Sequence, residues 1–222
     1  MTEVKNVNYN AVILNEKTLR LRAYDATKNE AVLDGVLKED AGCGYVLVPY
    51  VRLNGDGEEE VIGNVTRELA DRLVWRDFEI FLKAIKGTQE QVGVKLHTIE
   101  SVLFGYDEPN LLAEGLGVVK PSFMVLTTND GFLGAVALFL PNMQERLAEV
   151  VGGNYWVLPS SVHEVLIVPD RGEGAEQLAA MVRDINASEV PENEQFGNRV
   201  LYYDREKGSL TVAYDMDKEE GK

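Results

Sequence analysis

The chain has 222 residues, 45% of them hydrophobic and 27% charged, a balance that supports a packed core and excludes a disordered or low-complexity protein. Its 37 acidic residues against 22 basic ones give a formal charge of -15, a field that repels polyphosphate backbones and anionic lipid, so neither nucleic acid nor membrane is an expected partner. The single cysteine, Cys43, excludes an internal disulfide, MTEVKNVNYN lacks the apolar core of a leader, and no apolar run nears the roughly 18 residues of a membrane span; a soluble, cytoplasmic protein is expected.

Four short apolar and β-branched runs come first: AVIL at 11–14, LRLRAY at 19–24, AVLDGVL at 31–37 and YVLVPYVRL at 45–53. They predict a meander of strands. In LRLRAY the alternation of Leu19, Leu21 and Ala23 with Arg20, Arg22 and Tyr24 predicts a strand with one wet face. NGDGEEE at 54–60 supplies turn residues and an acidic cluster. From 65 to 86, Ala70, Leu73, Val74, Phe78, Phe81, Leu82 and Ile85 trace one helical face, and Gly87 is placed to end it. This is the longest helix expected, and it joins an N-terminal segment, 1–87, to a C-terminal one, 88–222, as two units or one continuous domain. VKLHTI predicts a strand, and ESVLFGYDEPNLLAEG short helical or irregular pieces.

The second half has sharper punctuation. FMVLTT at 123–128 and FLGAVALFL at 132–140 flank Asp130 and Gly131, which predicts an antiparallel hairpin. Pro141 ends it. Asn142 with Glu145 three residues on predicts a capping box opening a helix at 142–151, closed by Gly152 and Gly153. YWVLP at 155–159 and VHEVLIVP at 162–169 read as strands, a helix at 173–186 buries Leu178, Met181, Val182 and Ile185, and RVLYYD and LTVAYD make a last hairpin. Tight turns cannot join parallel strands, so the expected class is α+β, with antiparallel sheets and amphipathic helices packed on one face.

The run MVLTTNDGFLGAVALFLPNMQERLAEVVGGNYWVLPSSVHEVLIVPD, with MVRDINASEVP and VLYYD at their spacing after it, resembles an uncharacterised bacterial family known as domain of unknown function 5688. LPSSVHEVLIVPD is the most specific phrase. The likeness spans 117–204, with AVLDGVLKE similar to the family's opening strand phrase. It implies a segment order and no reaction, cofactor or partner.

Ser160, Ser161, His163 and Glu164 are the one cluster combining nucleophile, base and acid types. A hydrolase reading makes either serine a nucleophile and His163 its base. Against it, no G-x-S-x-G elbow or Gly-rich oxyanion loop is present. The other reading has Pro159, Ser160 and Ser161 form a turn while His163, on the apolar side of the alternation in VHEVLIVP, is partly buried and hydrogen-bonded. A metal site would recruit His163 with His97, Glu164 or Asp170, but the two histidines are far apart with no ligand spacing. Asp56, Glu58, Glu59 and Glu60 are too short a run for a calcium loop, and Cys43, between two glycines and close to Glu39 and Asp40, is expected in a turn rather than as a reactive thiol. No nucleotide motif occurs, so no cofactor is expected. The expected function is a non-enzymatic binding or interaction module for a protein or small-molecule ligand; the alternative is a hydrolase-like or metal-assisted enzyme centred on Pro159 to Glu164.

Overall fold

A computed structural model describes residues 14–15, 17–54, 60–113, 123–159 and 161–218. The chain divides into two compact units, residues 1–93 and 94–222, each with its own antiparallel sheet, and the class is α+β. Among the described residues no helix is long and apolar enough to cross a membrane. Residues 11–13 of the first expected strand and the acids Asp56, Glu58 and Glu59 lie outside the described residues.

The first unit runs β1 (Leu19–Asp25), α1 (Glu30–Leu33), β2 (Glu39–Gly42), β3 (Tyr45–Asn54), β4 (Glu60–Asn64), α2 (Arg67–Asp71) and α3 (Asp77–Gly87), closing with a π-helical turn at Thr88–Val92. β3 is central. β1 lines one side of it, while the other side is shared by β2, against Tyr45 to Leu47, and β4, against Tyr50 to Asn54. A proline in a central strand is ordinarily excluded, and its position here explains the exception. At the Leu21–Pro49 pair the Leu21 amide turns outward and donates to Thr88 Oγ1, 2.8 Å away, so the nitrogen of Pro49 faces the opposite side, in the gap between β2 and β4.

Three expectations fail in this unit. AVLDGVL is not a strand: Asn29 C=O accepts from the amides of both Val32 and Leu33, a helical turn that buries only Leu33, and Gly35 at φ 65° ends it, leaving Val36 one isolated bridge to Thr66. β1 has no wet face, because Arg20 and Tyr24 are buried along with Leu19, Leu21 and Ala23. The long helix is two. Thr66 Oγ1 accepts from the Leu69 amide to start α2, the chain turns after Arg72, and α3 restarts where the Glu79 carboxylate accepts from the Arg76 amide at 2.8 Å. Ile80, Phe81 and Ala84 are the buried face of α3, which packs on β1; Gly87 does not stop it but stays helical and passes the chain into the π-helical turn that Gly93 at φ 78° closes.

The second unit runs β5 (Val94–Thr98), α4 (Ile99–Phe104), β6 (Met124–Thr128), α5 (Met143–Val151), β7 (Tyr155–Leu158), β8 (Glu164–Pro169), α6 (Ala175–Ser188), β9 (Arg199–Asp204) and β10 (Ser209–Asp215), in sheet order β10-β9-β7-β8-β6-β5. Pleating sends Trp156, Leu158, Leu166 and Val168 to one face, where Leu178, Ala179 and Val182 of α6 pack with Val200 and Met216. Tyr155 and Val157 point the other way. There Tyr155 stacks on Tyr203 with centroids 5.0 Å apart, and its hydroxyl donates to the Gln144 carbonyl of α5. Helices therefore cover both faces of this sheet, a correction to the single helical layer expected, since both faces are apolar. At 14 residues α6, not the 65–86 segment, is the longest of the described helices.

The expected 123–140 hairpin is absent. β6 forms, but Gly134–Phe139 is a buried 3₁₀ helix. A type I′ turn needs two central residues at positive φ, and only Gly131 has it, because Asp130 Oδ1 accepts from both Thr128 Oγ1 and the Phe132 amide and draws the chain into a different bend. The capping box before α5 is also absent: Asn142 sits at φ 63° and its side chain caps nothing. Gly152 ends α5 in the left-handed conformation, as expected.

Candidate functional site

β8 begins at Glu164, so His163 stands just before the strand rather than on it. Its backbone is held from three sides. Its amide donates to Ser161 Oγ at 3.1 Å, its carbonyl accepts from Thr127 Oγ1 at 2.7 Å, and a Cβ on Gly134 would overlap that carbonyl, Thr127 Oγ1 and the Thr128 amide. Only glycine allows the 3₁₀ segment to approach so closely. The imidazole Nδ1 accepts from the Leu133 amide at 3.2 Å, which anchors a leucine at φ 51°, and the ring tilts over Phe132 at 5.6 Å. Nε2 faces Glu194 Oε2 at 3.8 Å, beyond hydrogen-bond reach.

This geometry brings Ser161, His163 and Glu164 into one neighbourhood but not into a catalytic relay. The Ser161 hydroxyl oxygen accepts from the His163 backbone, Nδ1 is occupied by Leu133, and Ser160 lies outside the described residues. Glu164 is half-buried in β8, and burial pushes its carboxyl above the ordinary range against the opposing pull of His163 and Lys95. His97 lies on β5, separated from β8 by β6, with Nδ1 3.4 Å from Glu108 Oε1. Among the described residues no group of three His, Cys, Asp or Glu is placed to hold a metal. Cys43, at φ 55° between Gly42 and Gly44, occupies the turn from β2 to β3.

A second locus was not singled out by sequence. Thr98 Oγ1 accepts from the Ser101 amide to open α4, and Gly105 at φ 67° closes it after a turn and a half. The following loop folds back through two polar side chains. Glu108 accepts from the amide and hydroxyl of Thr98 and from Ser101 Oγ, while Asn110 accepts from the Leu96 amide and donates to the Val94 carbonyl along the free edge of β5. Of α4 only Ser101 is buried. Val102, Leu103, Phe104 and, just beyond, Tyr106 are 51%, 70%, 77% and 50% exposed, and Glu100 Oε2 beside them is buried without a hydrogen-bond partner. The signal in the sequence was the consecutive VLF: three adjacent apolar residues of a short helix point in three directions and cannot all enter one core.

In the first unit Phe78 and Leu82, on the outer side of α3, and Val74 before it are also exposed. There the rings carry the protein's own cations, with the Arg76 guanidinium 4.4 Å from the Phe78 centroid and Lys83 Nζ 4.8 Å from that of Trp75.

No curated protein and no solved structure matches the chain. A family model described as a family of unknown function, DUF5688, matches residues 7–205, extending the likeness seen over 117–204 through the N-terminal half, and the chain belongs to that family.

Proposed function

We propose that the protein is a non-enzymatic interaction module that docks a basic, amphipathic segment of another protein on the α4 surface. The observation that carries this reading is the run of Val102, Leu103, Phe104 and Tyr106, half to three-quarters exposed and presented by α4 and the loop after it, which Glu108 and Asn110 hold in place. Contiguous exposed apolar side chains on a soluble domain mark interaction surfaces. The partner's charge follows from the surroundings: Glu100 has a carboxylate oxygen awaiting a donor, Asp107 is exposed, and the chain carries -15 overall. A second copy of this chain would bring the same acids against them. The same charge sets nucleic acid and anionic membranes outside the partner set.

The test is a photo-crosslinking amino acid placed at Leu103 in the full chain in cells, with Glu206 as an exposed control. Crosslinks at 103, absent at 206 and abolished by Phe104→Asp, to a peptide bearing Lys or Arg beside apolar residues are expected. Crosslinking at 103 no greater than at 206, or to acidic peptides, overturns the reading.

A further inference from the structure

Arg22 is a half-buried cation with no counter-charge among the described residues. It lies mid-strand in β1, opposite Val48 of β3, on the face that also holds Arg20, Tyr24 and, along β3, Tyr50 and Arg52. Its guanidinium carbon sits 4.1 Å from the Tyr24 ring centroid, and its Nε is buried without a hydrogen-bond partner. No carboxylate among the described residues forms an ion pair with it. Burial accordingly pushes its pKa below the ordinary guanidinium value, with Tyr24 and Tyr50 opposing.

Elementary electrostatics makes this arrangement anomalous. The buried Nε–H has no acceptor, and one aromatic face compensates only partly for the water it has lost. The chain does not lack acids, having 37. None of the described ones reaches Arg22. A guanidinium is a planar fork suited to two oxygens of one carboxylate or phosphate group.

We infer that this face of the first sheet binds a small oxyanion, a carboxylate or phosphate group, with Arg22 as its principal ligand. The inference is independent of the α4 surface, which belongs to the other unit.

The experiment is thermal unfolding of the full chain in sodium phosphate, sodium acetate and sodium chloride at matched ionic strength, for wild type, Arg22→Met and Arg22→Lys. The expected result is a saturable rise of several degrees in the wild-type midpoint with phosphate or acetate over chloride, the stronger of the two naming the ligand class. Arg22→Met should lose that rise, keeping only the general salt effect. Its midpoint in chloride should equal or exceed wild type, because an uncompensated charge is gone. Arg22→Lys should keep a reduced response. Equal responses in wild type and Arg22→Met, or a midpoint several degrees lower for that variant in chloride, overturn the inference. A second readout, the side-chain Nε–H resonance of Arg22, should move saturably with the same anions and not with chloride; an unmoved resonance likewise overturns it.

Discussion

The sheets of the two units each carry a buried or half-buried arginine, Arg22 on the edge strand β1 and Arg199 on β9 beside the edge strand β10, and the two are treated in opposite ways. Arg199 of β9 lies directly across from Asp215 of β10, with Nε 3.4 Å from Oδ2, both side chains at most a tenth exposed, and Lys218 Nζ reaching the same oxygen at 3.2 Å. Arg22 of β1 faces Val48 and leans on an aromatic ring. The first arrangement explains its own burial, because register delivers a carboxylate to the guanidinium. The second does not. A buried charge that the fold neutralises is part of the fold, and one that no described carboxylate meets is where the proposed oxyanion would bind.

The comparison fails at once if Arg199 proves dispensable. Arg199→Ala, which leaves Asp215 only the exposed Lys218 as a cationic partner, should cost about 2–4 kcal/mol in denaturant unfolding, whereas Arg199→Met combined with Asp215→Leu should recover most of that. A loss under 1 kcal/mol for the single variant would remove the contrast with Arg22.

Two carboxylates of the second unit extend the same contrast to acids. For Glu108, burial would raise the pKa, yet hydrogen bonds from Ser101 and Thr98, with His97 nearby, outweigh it and the carboxyl titrates below its ordinary range. A depressed folded-state pKa means stabilisation that is present above the unfolded value and lost as the pH falls through the folded one. Glu108→Gln should therefore cost about 1.5–3 kcal/mol at pH 7 and much less near pH 3, as paired denaturation curves would show.

His163→Ala tests a polar contact made without charge. It leaves the Leu133 amide unpaired and should cost about 1–3 kcal/mol, a fall of several degrees in the melting midpoint. An unchanged or raised midpoint would detach the imidazole from the fold and return it to the hydrolase reading. The smallest effect concerns Glu164, whose carboxyl is raised by burial. Its charge opposes folding at neutral pH, and that opposition fades as the pH drops through the folded pKa. Glu164→Gln should thus raise the midpoint slightly at pH 7 and leave it unchanged near pH 4; a loss at pH 7 would show the carboxylate to be satisfied.

Sequence reasoning read best where one period dominated. LRLRAY, YVLVPYVRL, YWVLP and the closing hairpin are strands, and Leu178 and Val182 mark a buried helix face. It misread FLGAVALFL and AVLDGVL because a short apolar run has no period of its own and its conformation is decided by polar neighbours: Asp130 bends the first and the Asn29 carbonyl winds the second. In the site, a bonded imidazole was expected from an alternation that does not reach His163, which stands just before β8, and its partner was not expected. Leu133 lies 30 residues away, and its amide is available only because the chain there is not a strand. The α4 surface was hidden for a related reason: exposure is a property of what the rest of the chain fails to cover.

The side chain of Asn110, with the Leu111 amide donating to the Leu96 carbonyl and Glu108 accepting from the Thr98 amide, stands in for a strand along β5, closing the sheet edge largely with side chains instead of a row of peptide units. In hydrogen–deuterium exchange that substitution has a signature. The Leu96 amide should follow the opening of the 105–111 loop rather than global unfolding, exchanging faster than that of its neighbour across the ladder, Leu126, so that β5 releases its outer protons while the sheet behind it stays closed.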